Sequence, residues 1–250
     1  MIEGLRERFL RPAGWLRSQA QGAPVRDDGS PLPWFTYAAI ELLDRMVRPE
    51  DRVFEYGAGF STLWWQTRAS HVDSVEHDLA WIDSLRPKLK PCVALAPRQI
   101  DHPTSDAERT LVRDFFRRRR RTEWPYDEEK VVRRGLNDER FIAYATHITN
   151  TDKCNAGYDF IVIDGMARRL CTWVAKCHLK RDGVLILDNA NRSDYDLAYE
   201  LLAEAGFRQI PLWGLVPGAN FMTCTSFFFR TLERLPSAEF ASNSFQLPEY

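Results

Sequence analysis

The feature that most constrains the fold of this chain is a glycine loop between a strand pattern and a helix pattern. Residues 52–56 read as a short strand, Gly57 and Gly59 follow directly, and a helix is expected over residues 61–68. Glycines allow a sharp turn and a close approach of the backbone to a ligand. A strand, a glycine turn and a helix in this order are typical of parallel sheets that bind nucleoside ligands.

The same region starts a regular alternation of strand and helix patterns. The expected strands are residues 52–56, 72–76, 92–96, 158–163, 183–187, 207–212 and 221–230. Alternating strands and helices build a parallel sheet with helices on both faces. The last two strands have no helix between them, which predicts an antiparallel hairpin. We therefore predict a doubly wound α/β fold with a mostly parallel, seven-stranded sheet and a C-terminal antiparallel hairpin.

The distribution of proline and glycine suggests three regions in the 250-residue chain. Residues 1–33 contain many of these residues and are expected to be an irregular arm. Residues 34–230 form the α/β domain, which residues 101–137 interrupt as an insertion. Residues 231–250 are expected to be a tail. The length suits a single globular domain.

The net charge and the spacing of the cysteines limit the classes of protein to which the chain can belong. The 34 Lys and Arg residues nearly balance the 35 Asp and Glu residues, for a net charge of -1. This balance lacks the basic surplus of a dedicated nucleic-acid binder. The five cysteines are widely spaced without a CxxC pair, which suggests free thiols in a reducing compartment. No secretory h-region and no membrane-length apolar run is visible, so we expect a soluble, cytoplasmic protein.

An acidic residue stands at the end of the second expected strand. Glu76 lies 19 residues after Gly57 (76 − 57 = 19) and is followed by His77. At about this spacing a carboxylate accepts hydrogen bonds from the ribose hydroxyls of a bound nucleoside. The loop and the acid together predict a nucleoside site, with a plain glycine turn and a helix-capping acid as the alternative.

The glycine loop resembles motif I of the class I S-adenosylmethionine-dependent methyltransferases, an acid-x-Gly-x-Gly sequence. Here Glu55, Gly57 and Gly59 supply the three motif positions. A loop for a nicotinamide dinucleotide usually has a third glycine, and Thr62 stands in its place. The resemblance implies that S-adenosylmethionine is the cofactor.

The resemblance also implies roles for individual residues. Glu55 would support the loop, Gly57 and Gly59 would line the methionine part of the cofactor, and Glu76 would hold the ribose. Asp101, just after the third strand, stands where such enzymes often contact the adenine amine. The candidate cofactor-binding residues are Glu55, Gly57, Gly59, Ser61, Thr62, Glu76, His77 and Asp101.

Acidic residues also follow the fourth and fifth expected strands. Asp164 follows the fourth, and Asp188 and Asn189 follow the fifth. Because ligands bind at the carboxyl ends of such strands, we expect all three side chains to face the crevice of the glycine loop. Asp164 and Asp188 are the candidate catalytic residues. A turn before the next helix is the simpler explanation for each acid.

This second set is similar to that of the metal-dependent catechol and caffeoyl-coenzyme-A O-methyltransferases. Those enzymes hold a divalent ion with an Asp after the fourth strand and an Asp-Asn pair after the fifth. The resemblance makes Asp164, Asp188 and Asn189 candidate ligands for magnesium or calcium. The catechol enzymes carry a basic residue where this chain has Ala167. The metal is therefore possible but not favoured.

The predicted function is methyl transfer from S-adenosylmethionine to an oxygen or nitrogen atom of a small-molecule acceptor. One alternative is an NAD-dependent oxidoreductase on a similar fold. Another is a non-catalytic nucleoside- or RNA-binding protein that uses the arginines at 117–121. The acidic residues at 127–129 favour neutralisation of that run, so we do not expect nucleic-acid binding. No motif identifies the acceptor or the oligomeric state.

Overall fold

A computed structural model describes residues 4, 6–122, 138–152 and 156–236 of the chain. Seven strands form one sheet: β1 Arg52–Tyr56, β2 His71–Glu76, β3 Val93–Pro97, β4 Tyr158–Ile163, β5 Leu179–Leu187, β6 Arg208–Leu215 and β7 Met222–Phe229. Their order across the sheet is β3-β2-β1-β4-β5-β7-β6. Strands β1 to β5 are parallel, and β7 is antiparallel to β5 and β6. The predicted fold class is confirmed.

Helices cover both faces of this sheet. The α-helices are α1 Trp15–Gln21, α2 Tyr37–Met46, α3 Phe60–Trp65, α4 Leu79–Leu85, α5 Asp106–Thr122, α6 Ile142–Ala145, α7 Ile148–Thr151, α8 Arg168–Ala175 and α9 Asp196–Glu204. Short 3₁₀ turns span Arg86–Lys88, Asp138–Phe141 and Ser193–Tyr195, and one π-helical turn spans Arg6–Leu10. None of these described helices is long and apolar enough to cross a membrane.

Side-chain caps determine where two of the helices begin. The Thr36 hydroxyl accepts a hydrogen bond from the Ala39 amide (3.3 Å) at the start of α2. The Asp78 carboxylate accepts one from the Trp81 amide (3.1 Å) at the start of α4. Such caps satisfy amide groups that have no partner inside the helix. They direct α2 and α4 onto the sheet at these points.

The apolar core lies on both faces of the sheet, and β4 contributes to both. All six of its residues are buried. Ile161 and Ile163 pack into the cluster that contains α8, whereas Phe160 and Val162 pack into the cluster that contains α2 and α3. Burial on two faces explains the continuous apolar run in the sequence.

The strand order reverses between β1 and β4, because β2 and β3 follow on one side and β5 to β7 on the other. Helix α3, which follows β1, packs on one face through Trp64, and α8, which follows β4, packs on the other through Leu170. The two loops after these strands therefore diverge and leave a crevice at the carboxyl ends of the strands. Both loops are anchored there, because the Gly57 amide donates to the Val75 carbonyl (2.9 Å) and the Asp164 amide to the Tyr56 carbonyl (3.1 Å).

The insertion is joined to the domain through arginines of α5. Arg119 is buried and pairs with Asp138 (3.3 Å), and Arg118 pairs with Glu200 of α9 (3.4 Å). Arg118 and Arg119, two arginines of the run at 117–121, thus make structural contacts with the rest of the domain. Residues 123–137, which include the acids at 127–129, lie outside the described part of the chain.

One helix is interrupted where the sequence predicts a continuous one. The sequence of residues 137–149 predicts a single helix, whereas the described part from residue 138 contains a 3₁₀ turn followed by α6 and α7. The Thr146 hydroxyl, which lies between the two helices, bonds the Ile142 carbonyl (2.8 Å) and the Glu108 carboxylate (3.0 Å). Side chains of this kind compete with the backbone and favour a break in a helix.

The two ends of the described chain are tied to the domain. In the arm, which contains α1, the indole of Trp15 donates to the Ala219 carbonyl (2.9 Å) in the loop after β6. In the predicted tail, Arg234 lies buried between Asp51 (2.7 Å) and Asp159 (2.7 Å), at the amino ends of β1 and β4. Residues 237–250 lie outside the described part.

Candidate functional site

A cavity of about 520 Å³ opens at the switch point between β1 and β4. Five of the predicted cofactor-binding residues line it: Gly57, Gly59, Ser61, Glu76 and His77. The opposite wall includes Asp164, Gly165 and Arg168 from the β4 side. The structure therefore brings together residues from both halves of the predicted site.

Bare backbone forms the floor of this cavity. Gly57 has φ +92°, and a Cβ atom placed there would lie 2.8 Å from the Cα of Gly165. A Cβ atom on Gly165 would lie 2.0 Å from the hydroxyl of Tyr144. The loops after β1 and β4 therefore touch through two glycines, and neither position has room for a side chain. No sequence pattern predicts that Tyr144 belongs to this site, because it approaches Gly165 only in the folded chain.

Glu55 and Thr62 support the glycine loop from below rather than line the cavity. The Thr62 hydroxyl donates to the Glu55 carboxylate and accepts from the Gly59 amide (2.8 Å). The Ser74 hydroxyl also donates to Glu55 (3.0 Å). Burial raises the pKa of Glu55 to about 7, although the bonds from neighbouring hydroxyls oppose the rise. This buried network holds the loop in one conformation.

Glu76 lies at the cavity wall in a fixed orientation. Its Oε1 accepts from the amides of His77 (2.7 Å) and Asp78 (2.9 Å), and its Oε2 accepts from the Ala58 amide (3.1 Å). A carboxylate has about four acceptor positions. Oε2 therefore retains one acceptor position for a ligand hydroxyl.

His77 lies beside the same carboxylate. Its Nδ1 lies 2.6 Å from Glu76 Oε1, and the proximity of this carboxylate raises the pKa of the imidazole. The ring also packs edge-on against Phe141, with 5.9 Å between centroids. His77 thus contributes an imidazole face to the cavity wall beside Glu76.

Asp101 lies away from the other candidates. It has φ +59°, is exposed, and pairs with Arg140 of the 3₁₀ turn Asp138–Phe141 (2.9 Å to Nε). The pair lowers the pKa of the Asp101 carboxyl. Asp101 is not among the residues that line the cavities described here. Its contact with an adenine amine stays a prediction.

Arg168 occupies the space between the ends of β4 and β5. Its Nη2 donates to Asp164 Oδ1 (2.9 Å), its Nε to the Gly165 carbonyl (3.0 Å), and its Nη1 to the Asp188 carbonyl. Ala167, in the left-handed conformation at φ +48°, turns the chain so that Arg168 begins α8. The guanidinium therefore holds the two strand ends together with a fixed positive charge.

Asp188 forms the floor beneath a second region of the site. Its Oδ1 accepts from the Thr225 hydroxyl (2.6 Å) and its Oδ2 from the Asn189 amide (2.7 Å). Burial raises the pKa of both Asp188 and Asp164, and Arg168 opposes the rise at each of them. Asp188 thus orients Asn189 and Thr225.

The three candidate metal ligands do not fit a divalent ion in this arrangement. Asp164 is paired with a guanidinium, and Asn189 turns its amide NH₂ group, which cannot bind a cation, toward Asp188. Magnesium and calcium require several free oxygen ligands. Within the described residues, no group of three or more His, Cys, Asp or Glu side chains could hold a metal ion.

A second cavity of about 500 Å³ adjoins the first. Trp34, Asp164 and Arg192 line both cavities, so the two meet at these three side chains. The second cavity extends between the loop after β5 and the β6–β7 hairpin, where Asn191 and Thr223 add polar groups. Neither Arg192 nor the hairpin carries a recognisable motif.

Comparisons with known proteins show structural likeness at low identity. A methyltransferase-like protein from Silicibacter pomeroyi is 19% identical, with a TM-score of 0.47 over 80% of this chain and 88% of that one. Precorrin 8W decarboxylase from Methanobacterium thermoautotrophicum is 15% identical, with a TM-score of 0.44 over 82% and 94%. Spermidine synthase from Thermotoga maritima is 12% identical, with a TM-score of 0.44 over 76% and 56%. No protein-family model and no curated protein matches the chain.

Proposed function

We propose that the protein is an S-adenosylmethionine-dependent methyltransferase that acts on a small molecule. The observation that carries this proposal is the pair of adjoining cavities that meet at Asp164. A cofactor in the first cavity and an acceptor in the second would face each other there. The bound cofactor supplies an activated methyl group, so the protein needs chiefly to align the acceptor with it.

The first cavity suits an adenosine-containing cofactor. Gly57 and Gly59 leave the backbone bare for close approach, and the carboxylate of Glu76 is oriented with one acceptor position open. Thr62 stands where a nicotinamide-binding loop has its third glycine, and its hydroxyl is bound to Glu55 and Gly59. This arrangement favours S-adenosylmethionine over a nicotinamide dinucleotide.

Calorimetric titration with S-adenosylhomocysteine, the demethylated product, tests this assignment. We expect the wild-type protein to bind S-adenosylhomocysteine and to bind NADH much more weakly. Glu76→Gln should weaken S-adenosylhomocysteine binding by about tenfold to a hundredfold, because a hydrogen bond to a charged group contributes about 1.5–3 kcal/mol. The glutamine NH₂ group would replace one of the two oxygens that the carboxylate offers.

Asp78→Asn is the matched control for Glu76→Gln. It removes a negative charge two residues away but retains an oxygen that can cap α4 at the Trp81 amide. Its affinity for S-adenosylhomocysteine should equal that of the wild type. If Glu76→Gln binds S-adenosylhomocysteine as tightly as the wild type does, residues other than Glu76 hold the ribose.

Asp164 is placed to act on the acceptor. It lies where the two cavities meet and is only partly buried, so an acceptor hydroxyl or amine can reach it. A raised pKa helps a carboxylate to take up a proton from such a group. Arg168 holds the carboxylate in position and supplies the positive charge that a divalent ion would otherwise bring to this place.

Asp164→Asn should lower turnover by about tenfold or more, since asparagine accepts hydrogen bonds but does not take up a proton. Affinity for S-adenosylhomocysteine should be unchanged, and thermal unfolding should confirm that the variant folds. Because Arg168 already pairs with Asp164, a chelator should leave wild-type turnover intact. Loss of activity with a chelator and its return with magnesium would instead make Asp164, Asp188 and Asn189 metal ligands.

A further inference from the structure

Arg192 differs from the other arginine of the site in having few partners. It lies in the loop after β5, just before the 3₁₀ turn Ser193–Tyr195. Among the described residues its guanidinium bonds only the Tyr195 hydroxyl, at 3.4 Å, and no carboxylate lies within ion-pair distance. Arg168, in contrast, has four bonds to the ends of β4 and β5. Since a guanidinium has five N–H donors, most of those on Arg192 remain available to the cavities.

The two carboxylates near Arg192 already have partners of their own. Asp164 is paired with Arg168, and Asp188 is bound by Thr225 and Asn189. Arg192 forms no ion pair with either carboxylate, although its charge opposes the rise that burial causes in the pKa of Asp164. Arg168 and Arg192 balance Asp164 and Asp188, so the sulfonium of a bound cofactor would make the site positive and favour an anion.

Part of the wall of the second cavity is apolar. Trp34 is 50% exposed, Phe221 58% and Met222 63%, which are large exposures for such side chains. They border the same cavity as Arg192. The remaining lining is mostly polar and includes Asp188, Asn189 and Asn191, whose side chain is bound by the Thr223 hydroxyl (2.8 Å). The cavity thus places the guanidinium of Arg192 beside an apolar surface.

We propose that the methyl acceptor is a small molecule with a flat apolar body and an anionic oxygen group, which Arg192 binds. The apolar body would lie against Trp34 and Phe221, and the anionic group, a carboxylate or a phosphate, would accept two hydrogen bonds from the guanidinium. The inference rests on the proposed function and specifies the substrate class of the same site.

Matched probes test the charge requirement directly. 4-Hydroxybenzoate, its neutral amide 4-hydroxybenzamide, and phenyl phosphate with its neutral counterpart phenol are titrated into the protein, with and without saturating S-adenosylhomocysteine. At least one anion should bind about tenfold more tightly than its neutral counterpart. The tighter anion identifies a carboxylate or a phosphate as the preferred group. Equal affinity within both pairs, or no binding of any probe, would overturn the proposal.

Arg192→Gln should abolish the preference for the anion, and its affinity for S-adenosylhomocysteine is measured in parallel. Arg208→Gln, at an exposed arginine outside both cavities, is the matched control and should retain the preference. If Arg192→Gln weakens S-adenosylhomocysteine binding but keeps the preference, Arg192 holds the carboxylate of the cofactor and the proposal is wrong. Failure of the wild type to bind S-adenosylhomocysteine refutes the proposed function separately, because the probes are also titrated without it.

Discussion

Gly57→Ala should bind S-adenosylhomocysteine more than about a hundredfold more weakly than the wild type. The added Cβ atom would lie 2.8 Å from the Cα and 2.9 Å from the amide nitrogen of Gly165. These neighbours are backbone atoms on β4's loop, so they cannot move aside as a flexible side chain would. The loops after β1 and β4 would be forced apart, and the first cavity would lose its floor. Calorimetry measures the change.

Gly206→Ala is the control for backbone strain alone. Gly206 also has positive φ, +78°, but no atom lies within 4 Å of the position of its Cβ. Both substitutions should cost about 1–2 kcal/mol for the left-handed conformation. Only Gly57→Ala should affect the cofactor site. Equal affinities in the two variants would contradict the close contact of the loops.

Arg234→Met should lower the free energy of unfolding by about 3–5 kcal/mol. Only 2% of the arginine side chain is exposed, and its guanidinium bonds Asp51 (2.7 Å) and Asp159 (2.7 Å). Methionine has a similar shape but would leave the buried Asp51 without its cation and Asp159 with Lys180 alone (2.8 Å). The measurement is urea denaturation at neutral pH, where both carboxylates must be charged or take up a proton at a cost.

Arg45→Met provides the comparison for Arg234→Met. Arg45 also pairs with a carboxylate, Glu41 (3.0 Å), but both side chains are largely exposed. Exposed pairs of this kind contribute about 0.3–0.5 kcal/mol. The affinity for S-adenosylhomocysteine should be unchanged in both variants, because Arg234 lies at the opposite end of the strands from the cavities. A loss below about 1 kcal/mol in Arg234→Met would show that the buried network contributes little.

The sheet could be predicted from local patterns. The strands expected at 52–56 and 158–163 have those bounds in the structure. Short apolar runs next to turn residues usually form buried strands. The final hairpin was also predicted, although β6 continues to Leu215 into the expected loop. Its extension depends on pairing with β7, which no local pattern specifies.

The placement of several charged residues could not be predicted. Arg234 was expected in a tail, and Arg119 in a basic run neutralised by the acids at 127–129, but both are buried against other carboxylates. An arginine looks the same in sequence whether it is solvated or paired. Only the fold decides which carboxylates lie within reach, and burial without such partners would be prohibitively unfavourable.

The sequence by itself determined the α/β alternation, the glycine loop and the position of Glu76, because each depends on residues close together along the chain. The tertiary structure alone decided that Arg168 binds between Asp164 and the end of β5, and that Arg192 faces the second cavity with few partners. It also decided that Gly57 touches Gly165. These contacts join loops that follow neighbouring strands of the sheet. Strands β1 and β4 are neighbours although more than one hundred residues separate them along the chain. Local propensity carries no information about such pairs, since packing of the whole sheet creates them.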